Sequence, residues 1–167
     1  MTYTPRFQEI FESVVLDNIL AIVKRDMKSA LDYFYASDNL LDFAQRTLGN
    51  FIRESLPAFA VEVDRGADNE SADGSYVGPQ LRLFLYVAVG DADPTETTRK
   101  LEKYMRAVRS ILKTASTADY MAGITAPTIG ALVRDLSWQY GEISKNANLG
   151  LWMKPATFEL VLKYIER

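Results

Sequence analysis

Gln80-Leu81-Arg82-Leu83-Phe84-Leu85-Tyr86-Val87-Ala88-Val89 alternates residue by residue. Leu81, Leu83, Leu85, Val87 and Val89 fall on one side, and Gln80, Arg82, Phe84, Tyr86 and Ala88 on the other. A period of two is that of a β-strand. One side is aliphatic and the other carries two aromatics, so the strand is expected to be central and covered on both faces. Just beyond it, Asp93-Pro94-Thr95-Glu96 opens a helix. Asp93 is the cap, Pro94 fits the first helical position, and Glu96 is placed to close a capping box. Leu101, Tyr104, Met105, Val108, Ile111 and Leu112 then form one apolar stripe, which predicts a helix to about Thr114.

Working outward, Phe59, Val61 and Val63 alternate with Ala60, Glu62 and Asp64 and predict a short strand. Arg65 to Pro79 has three Gly, one Pro and no periodicity, and reads as a long loop ordered mainly by neighbouring molecules. Downstream, Thr114 to Pro127 is a small-residue loop with room for one short turn. Leu132, Leu136, Trp138 and Tyr140 begin a second strand pair, Gly141 to Gly150 supplies turn residues, and Phe158, Leu160, Leu162 and Tyr164 define the last strand. Upstream, Thr4-Pro5 is a helix start. Phe7, Ile10, Phe11, Val14, Ile19, Ile22, Val23, Met27, Ala30, Leu31 and Phe34 then recur at helical steps, in one helix or in two joined near Lys24 to Asp26. After the turn at Ser37-Asp38-Asn39, a further helix is predicted with Leu41, Ala44, Leu48, Phe51, Ile52 and Leu56 on one face, stopped by Pro57.

The expected fold is α+β in the order α-α-β-β-α-β-β, a four-stranded, largely antiparallel sheet with a crossover helix packed on it. A single domain over residues 1–167 is expected, helical over 5–56 and sheet-plus-helix over 58–167.

Composition narrows the chemistry. The 167 residues are 48% hydrophobic and 25% charged, as in an ordinary globular chain. The longest apolar run, Leu83 to Val89, is far short of the ~18 residues of a membrane span. Glu9, Glu12 and Asp17 interrupt any apolar start, so no signal peptide is expected. The net charge of −3 gives no whole-chain case for nucleic-acid binding. Cys and His are both absent, which removes thiolate and imidazole chemistry from this chain.

The acids Asp64, Asp68, Glu70 and Asp73 lack the alternate ligand spacing and sixth-position Gly of a calcium loop, so no metal site is expected. Gly123 to Gly130 lacks the Gly-Lys-Ser/Thr ending of a phosphate loop, and no cofactor is expected. An enzyme would have to rest on carboxylates such as Asp64 with Asp91, and no motif brings these together. The crossover helix is the clearest electrostatic feature. Arg99, Lys100, Lys103, Arg106, Arg109 and Lys113 face only Glu96 and Glu102 along it. Such a strip, opposed by Asp64, Asp68, Glu70 and Asp73, suits a contact between subunits better than free DNA affinity. Tyr33-Phe34-Tyr35 and Trp138-Gln139-Tyr140 contain neighbours that cannot all face one core, and the surplus fits an interface.

Several segments resemble a known family. The N-terminal helix from Thr4-Pro5-Arg6-Phe7, the strand Leu81 to Val87 running into Asp93-Pro94, the helix Leu101 to Leu112 and the closing strand Phe158 to Tyr164 are similar in layout to the tail terminator (tail completion) proteins of long-tailed bacteriophages. The resemblance implies a non-enzymatic ring, usually a hexamer, at the head-proximal end of the tail. Such a ring stops tail-tube polymerisation and joins the head connector, with DNA passing through its lumen unread. The implied partners are copies of the chain itself, the tail tube protein and neck proteins. The implied place is the virion, assembled in the bacterial host cytoplasm, with no membrane involved. Another neck or sheath-linked adaptor would share the ring logic.

Overall fold

A computed structural model describes residues 2, 10, 12–51, 53–70, 76–124 and 129–166. The elements, in order, are α1 (Glu12–Tyr35), a 3₁₀ turn (Ala36–Asp38), β1 (Gln45–Leu48), β2 (Ala58–Glu70), β3 (Tyr76–Asp91), α2 (Pro94–Thr114), α3 (Thr117–Tyr120), β4 (Ile129–Tyr140), β5 (Ser144–Asn146) and β6 (Leu151–Glu166). The class is α+β, with an N-terminal helix and a mixed sheet of six strands rather than four. The sheet runs β1-β2-β3-β6-β4, with β5 on β6. β1 lies parallel to β2, and the remaining pairs are antiparallel.

The first apolar stripe makes one uninterrupted helix through Lys24 to Asp26, burying Val15, Ile19, Ile22, Val23, Met27 and Leu31. The predicted cap at Thr4-Pro5, and Phe7 and Phe11 with it, lie outside the described residues. After Tyr35 the chain turns through Asn39, whose φ of 46° is a left-handed conformation that Asn tolerates.

The second predicted helix, Leu41 to Leu56, is not there. Gly49, at φ 77°, turns the backbone out of any helix, and Gln45–Leu48 instead pairs along the start of β2. The Ala44 N–H donates to the Pro57 carbonyl at 2.7 Å. The apparent stripe was a coincidence of spacing. Leu41 is 70% and Leu48 50% exposed, whereas Phe43, off the stripe, is buried against Phe59 and Tyr104. Ile52 lies outside the described residues.

The predicted loop Arg65 to Pro79 is also corrected. β2 and β3 form one long hairpin whose ladder continues to Glu70 opposite Tyr76, so this stretch is ordered within the chain. Ladder hydrogen bonds join backbone to backbone, and exposed residues such as Asp64 to Asp68 need no alternation to form them. The hairpin tip, residues 71–75, lies outside the described residues. β6 likewise starts earlier than predicted, and the expected turn Gly141 to Gly150 holds β5.

β3 is central, as its alternation implied, between β2 and β6. Leu81, Leu83, Leu85, Val87 and Val89 are buried in one apolar cluster with α1 and α2. The opposite face is not covered by any element among the described residues. Arg82, Phe84 and Tyr86 there are half-buried. The architecture is thus two layers, helices on one face of the sheet.

Asp93 caps α2 as expected, its carboxylate accepting from the Thr95 and Glu96 N–H groups at 2.8 and 2.9 Å. The capping box is not closed. Glu96 pairs with Arg99 at 2.7 Å, and the Asp93 N–H goes to Asp91. A reciprocal box forms instead at α3, between Ser116 and Asp119. There Arg25 and the Ser116 backbone hold the Asp119 carboxyl well below the usual carboxylate range. Asn18, buried in α1, donates to the Tyr120 and Ala122 carbonyls at 3.0 and 2.8 Å and so fixes α3 to α1. Residues 125–128, within the Gly123 to Gly130 stretch, lie outside the described residues.

Candidate functional site

The polar face of α2 is built by the same periodicity that builds its core face. With Leu101, Tyr104, Met105, Val108, Ile111 and Leu112 buried, the residues between them must turn outward. Their partners divide the strip in two. At the N-terminal end the cations are paired within the chain. Arg99 meets Glu96, and Lys100 lies 3.8 Å from Asp91 and donates to the Gly90 carbonyl. Lys103 meets Asp38 at 2.7 Å. A cleft of about 480 Å³ between α2 and residues 38–41 is lined by Asp38, Asp91, Glu96, Lys100 and Lys103 together with Leu41, Leu56 and Pro57.

Further along, the cations rest on aromatic rings instead. The Arg106 guanidinium lies 4.4 Å from the Phe34 ring centroid and 5.9 Å from that of Tyr35. Arg109 lies 4.7 Å above Trp138 of β4. An aromatic face holds a cation in place, at ~0.5–1 kcal/mol for an exposed pair, without neutralising it. No carboxylate pairs with Arg106, Arg109 or Lys113 among the described residues. Between them a cleft of about 170 Å³ is lined by Glu102, Met105, Arg106, Arg109, Trp138 and Tyr140. Trp138 is 42% and Tyr140 46% exposed, and Lys154 sits over the Tyr140 ring. Of the surplus aromatics, Phe34, Tyr35, Trp138 and Tyr140 therefore end up beneath cations, whereas Tyr33 is exposed. Charge patterning along α2 could not find this, because Phe34 and Trp138 come from α1 and β4.

The acidic half of the expected contact is elsewhere. Asp64 and Asp68 are exposed on the outer part of β2, and Glu70 ends that strand. Asp73 lies outside the described residues. Within one chain no ion pair joins these acids to α2 among the described residues. Asp64 and Asp91 sit at different places along the hairpin. Asp64 adjoins Arg82 in the ladder, roughly 30 Å from Asp91 at ~3.4 Å per residue. No acid–base reaction can span that gap. No grouping of acids that could hold a metal occurs among the described residues.

The open face of the sheet carries its own polar network. Arg82 meets Glu159 at 2.6 Å and Asp64 at 3.5 Å and lies over the Phe84 ring. Tyr86 donates to Glu62, and burial, followed by that hydrogen bond and the acids nearby, pushes its hydroxyl up to about 12. The unfolded chain would ionise Tyr86 near 10. The folded state therefore binds the extra proton between pH 10 and 12, and stability falls as pH rises through that window. Tyr86→Phe should be less stable than wild type below pH 10, and the difference should close between pH 10 and 12. Urea unfolding of both proteins across that range measures it, and a constant difference would show that the Tyr86 proton is not held by the fold.

Compared with known proteins, the chain matches no family model and no curated relative. The fold and site define a two-layer α+β protein in which Arg106, Arg109 and Lys113, on the polar face of α2, have no carboxylate partner among the described residues.

Proposed function

We propose that the chain is a structural virion protein that forms a ring at the head-proximal end of a phage tail. In this reading it terminates the tail tube and presents the head-joining surface, as its resemblance in layout to tail terminators suggests. One observation carries the reading. Arg106, exposed, and Arg109, half-buried, are fixed on aromatic rings, and neither is paired with a carboxylate among the described residues. An arrangement of that kind supplies direction and register to a contact with an acidic surface, which is the role ring closure requires. The exposed acids on β2 offer such a surface on the next copy. A heterologous contact between two different patches closes into a ring, and a hexamer is the expected number. The acidic net charge suits a lumen through which DNA slides without being held.

The deciding measurement is the mass in solution together with negative-stain images. The expected result is a ring with a central hole and a mass of about six chains. A compact monomer at high concentration would remove this reading.

A further inference from the structure

Paired residues line up in rows that cross the sheet from margin to margin. Trp138 of β4 pairs with Phe158, Phe158 with Leu85, Leu85 with Val61, and Val61 with Leu48 of β1. The other such row on the helix side is Tyr140, Ala156, Val87, Phe59 and Arg46. Between them, on the open face, runs Gln139, Thr157, Tyr86, Ala60 and Thr47. Each row starts on β4 and stops on β1, the two strands at the ends of the sheet order. The apolar row is bare at both ends, with Trp138 42% and Leu48 50% exposed. From Leu136 to Tyr140 the β4 margin has no charge, no Pro and no bulge, the devices that keep a margin from pairing. The bulge at Arg134 lies above this stretch.

We infer, resting on the ring reading above, that β4 of one copy pairs with β1 of the next in these same rows, Trp138 opposite Leu48, Gln139 opposite Thr47 and Tyr140 opposite Arg46. Strand direction agrees. β1 runs with β2 and β6, and β4 runs against them, so the junction is antiparallel. Backbone direction agrees as well. The Gly141 N–H donates inward to the Pro155 carbonyl at 2.8 Å, so alternation turns the backbone groups of Trp138 and Tyr140 outward. The Gly49 N–H donates inward to the Val61 carbonyl at 2.9 Å, which turns those of Leu48 and Arg46 outward. The residues with outward groups are the ones set opposite each other, and all four are on the helix side. Faces and hydrogen bonds therefore match in one register. Charge agrees too. Asp42, held by Arg46 at 2.5 Å, comes to the Tyr140 row, where Arg106 and Arg109 line the cleft without a carboxylate partner among the described residues. Pairing β4 with a second β4, Trp138 opposite Trp138, would instead bring two Arg109 guanidinium groups together and leave β1 bare.

The chain contains no cysteine, so introduced pairs report without background. The test is Gln139→Cys with Thr47→Cys in one full-length chain, oxidised gently, run on a non-reducing gel, and imaged in parallel. Across the junction these two form a non-hydrogen-bonded pair, with Cα atoms ~4.5 Å apart, inside the ~4.4–6.8 Å that a disulfide needs. The expected result is a ladder of linked chains ending at the ring number, with neither single variant forming it. Rings without a ladder would overturn the pairing and leave the ring reading standing. A ladder from Ser137→Cys with Thr47→Cys in its place would overturn the register. A closed two-chain particle, or a monomer, would overturn both the pairing and the ring. Should the double variant fail to fold by circular dichroism, Leu48→Glu gives the same decision. At an exposed edge it should leave the fold intact and weaken assembly by about tenfold or more. Leu132→Glu, at the equally exposed leucine on the open side of β4, should assemble as wild type. Normal rings from Leu48→Glu, or equal loss from both variants, would overturn the pairing.

Discussion

Arg106→Glu combined with Arg109→Glu should leave the subunit folded and abolish ring assembly, with apparent subunit affinity falling by ~100-fold or more at low salt. Both side chains are outside the core stripe of α2, so the apolar packing of Leu101, Tyr104, Met105 and Val108 is untouched. What the fold loses is the contact of Arg106 with Phe34 and of Arg109 with Trp138, at ~0.5–1 kcal/mol each. A melting temperature lower by a few degrees is the expected cost. Assembly should suffer far more, because in the proposed ring two cations that meet an acidic surface become two acids that repel it. That repulsion is strongest where salt screens it least, so the defect should be largest at ~0.01 M ionic strength and diminish towards 1 M. In a phage the same change should give overlong or headless tails. Lysine at both positions keeps the charge and should assemble close to wild type, which separates charge from shape. A double glutamate variant that assembles normally would mean that the strip is only a solvated helix face.

The core of the sheet was legible because local signals agreed there. In β3 the alternation of five aliphatic residues, and in α2 the cap at Asp93-Pro94 followed by a clean stripe, each pointed to the element that forms. The distal hairpin was not legible, since the strand character of Arg65–Glu70 and Tyr76–Pro79 lies in backbone pairing rather than in any side-chain pattern. β1 was hidden for a related reason. Its four residues gain order from the edge of β2, a partner that follows in sequence, and an accidental helical spacing masked them. As for the site, the cations of α2 could be read directly. The distinction between those paired to Glu96, Asp91 and Asp38 and those resting on rings could not, because it depends on where α1 ends and where β4 crosses.

Tyr104→Ala should destabilise the protein by ~3–5 kcal/mol, and Tyr104→Phe by only ~1 kcal/mol. Tyr104 is fully buried on the inner face of α2, its ring 5.5 Å from that of Phe43, which in turn lies 5.5 Å from Phe59. Its hydroxyl donates to the Leu41 carbonyl, and burial, with Asp42 adding to it, holds that hydroxyl in the protonated form well above its ordinary range. Removing the ring leaves a cavity where helix, sheet and the segment after Asn39 meet, and surrounding side chains can fill it only in part. Removing the hydroxyl alone costs one hydrogen bond, and the freed carbonyl belongs to exposed Leu41, within reach of water. The loss should also be uneven. Residues 40–48 have neither a helix nor a full ladder, and Phe43 is their one fully packed side chain. Hydrogen exchange at the Ala44 and Gly49 N–H groups, which bond to the Pro57 and Val61 carbonyls, should therefore accelerate more than exchange in β3 and β6. If instead the alanine variant cost no more than the phenylalanine one, or if exchange rose equally throughout, Tyr104 would not be what fixes this segment. The edge position of β1 would then have to owe its order to pairing with β2 alone.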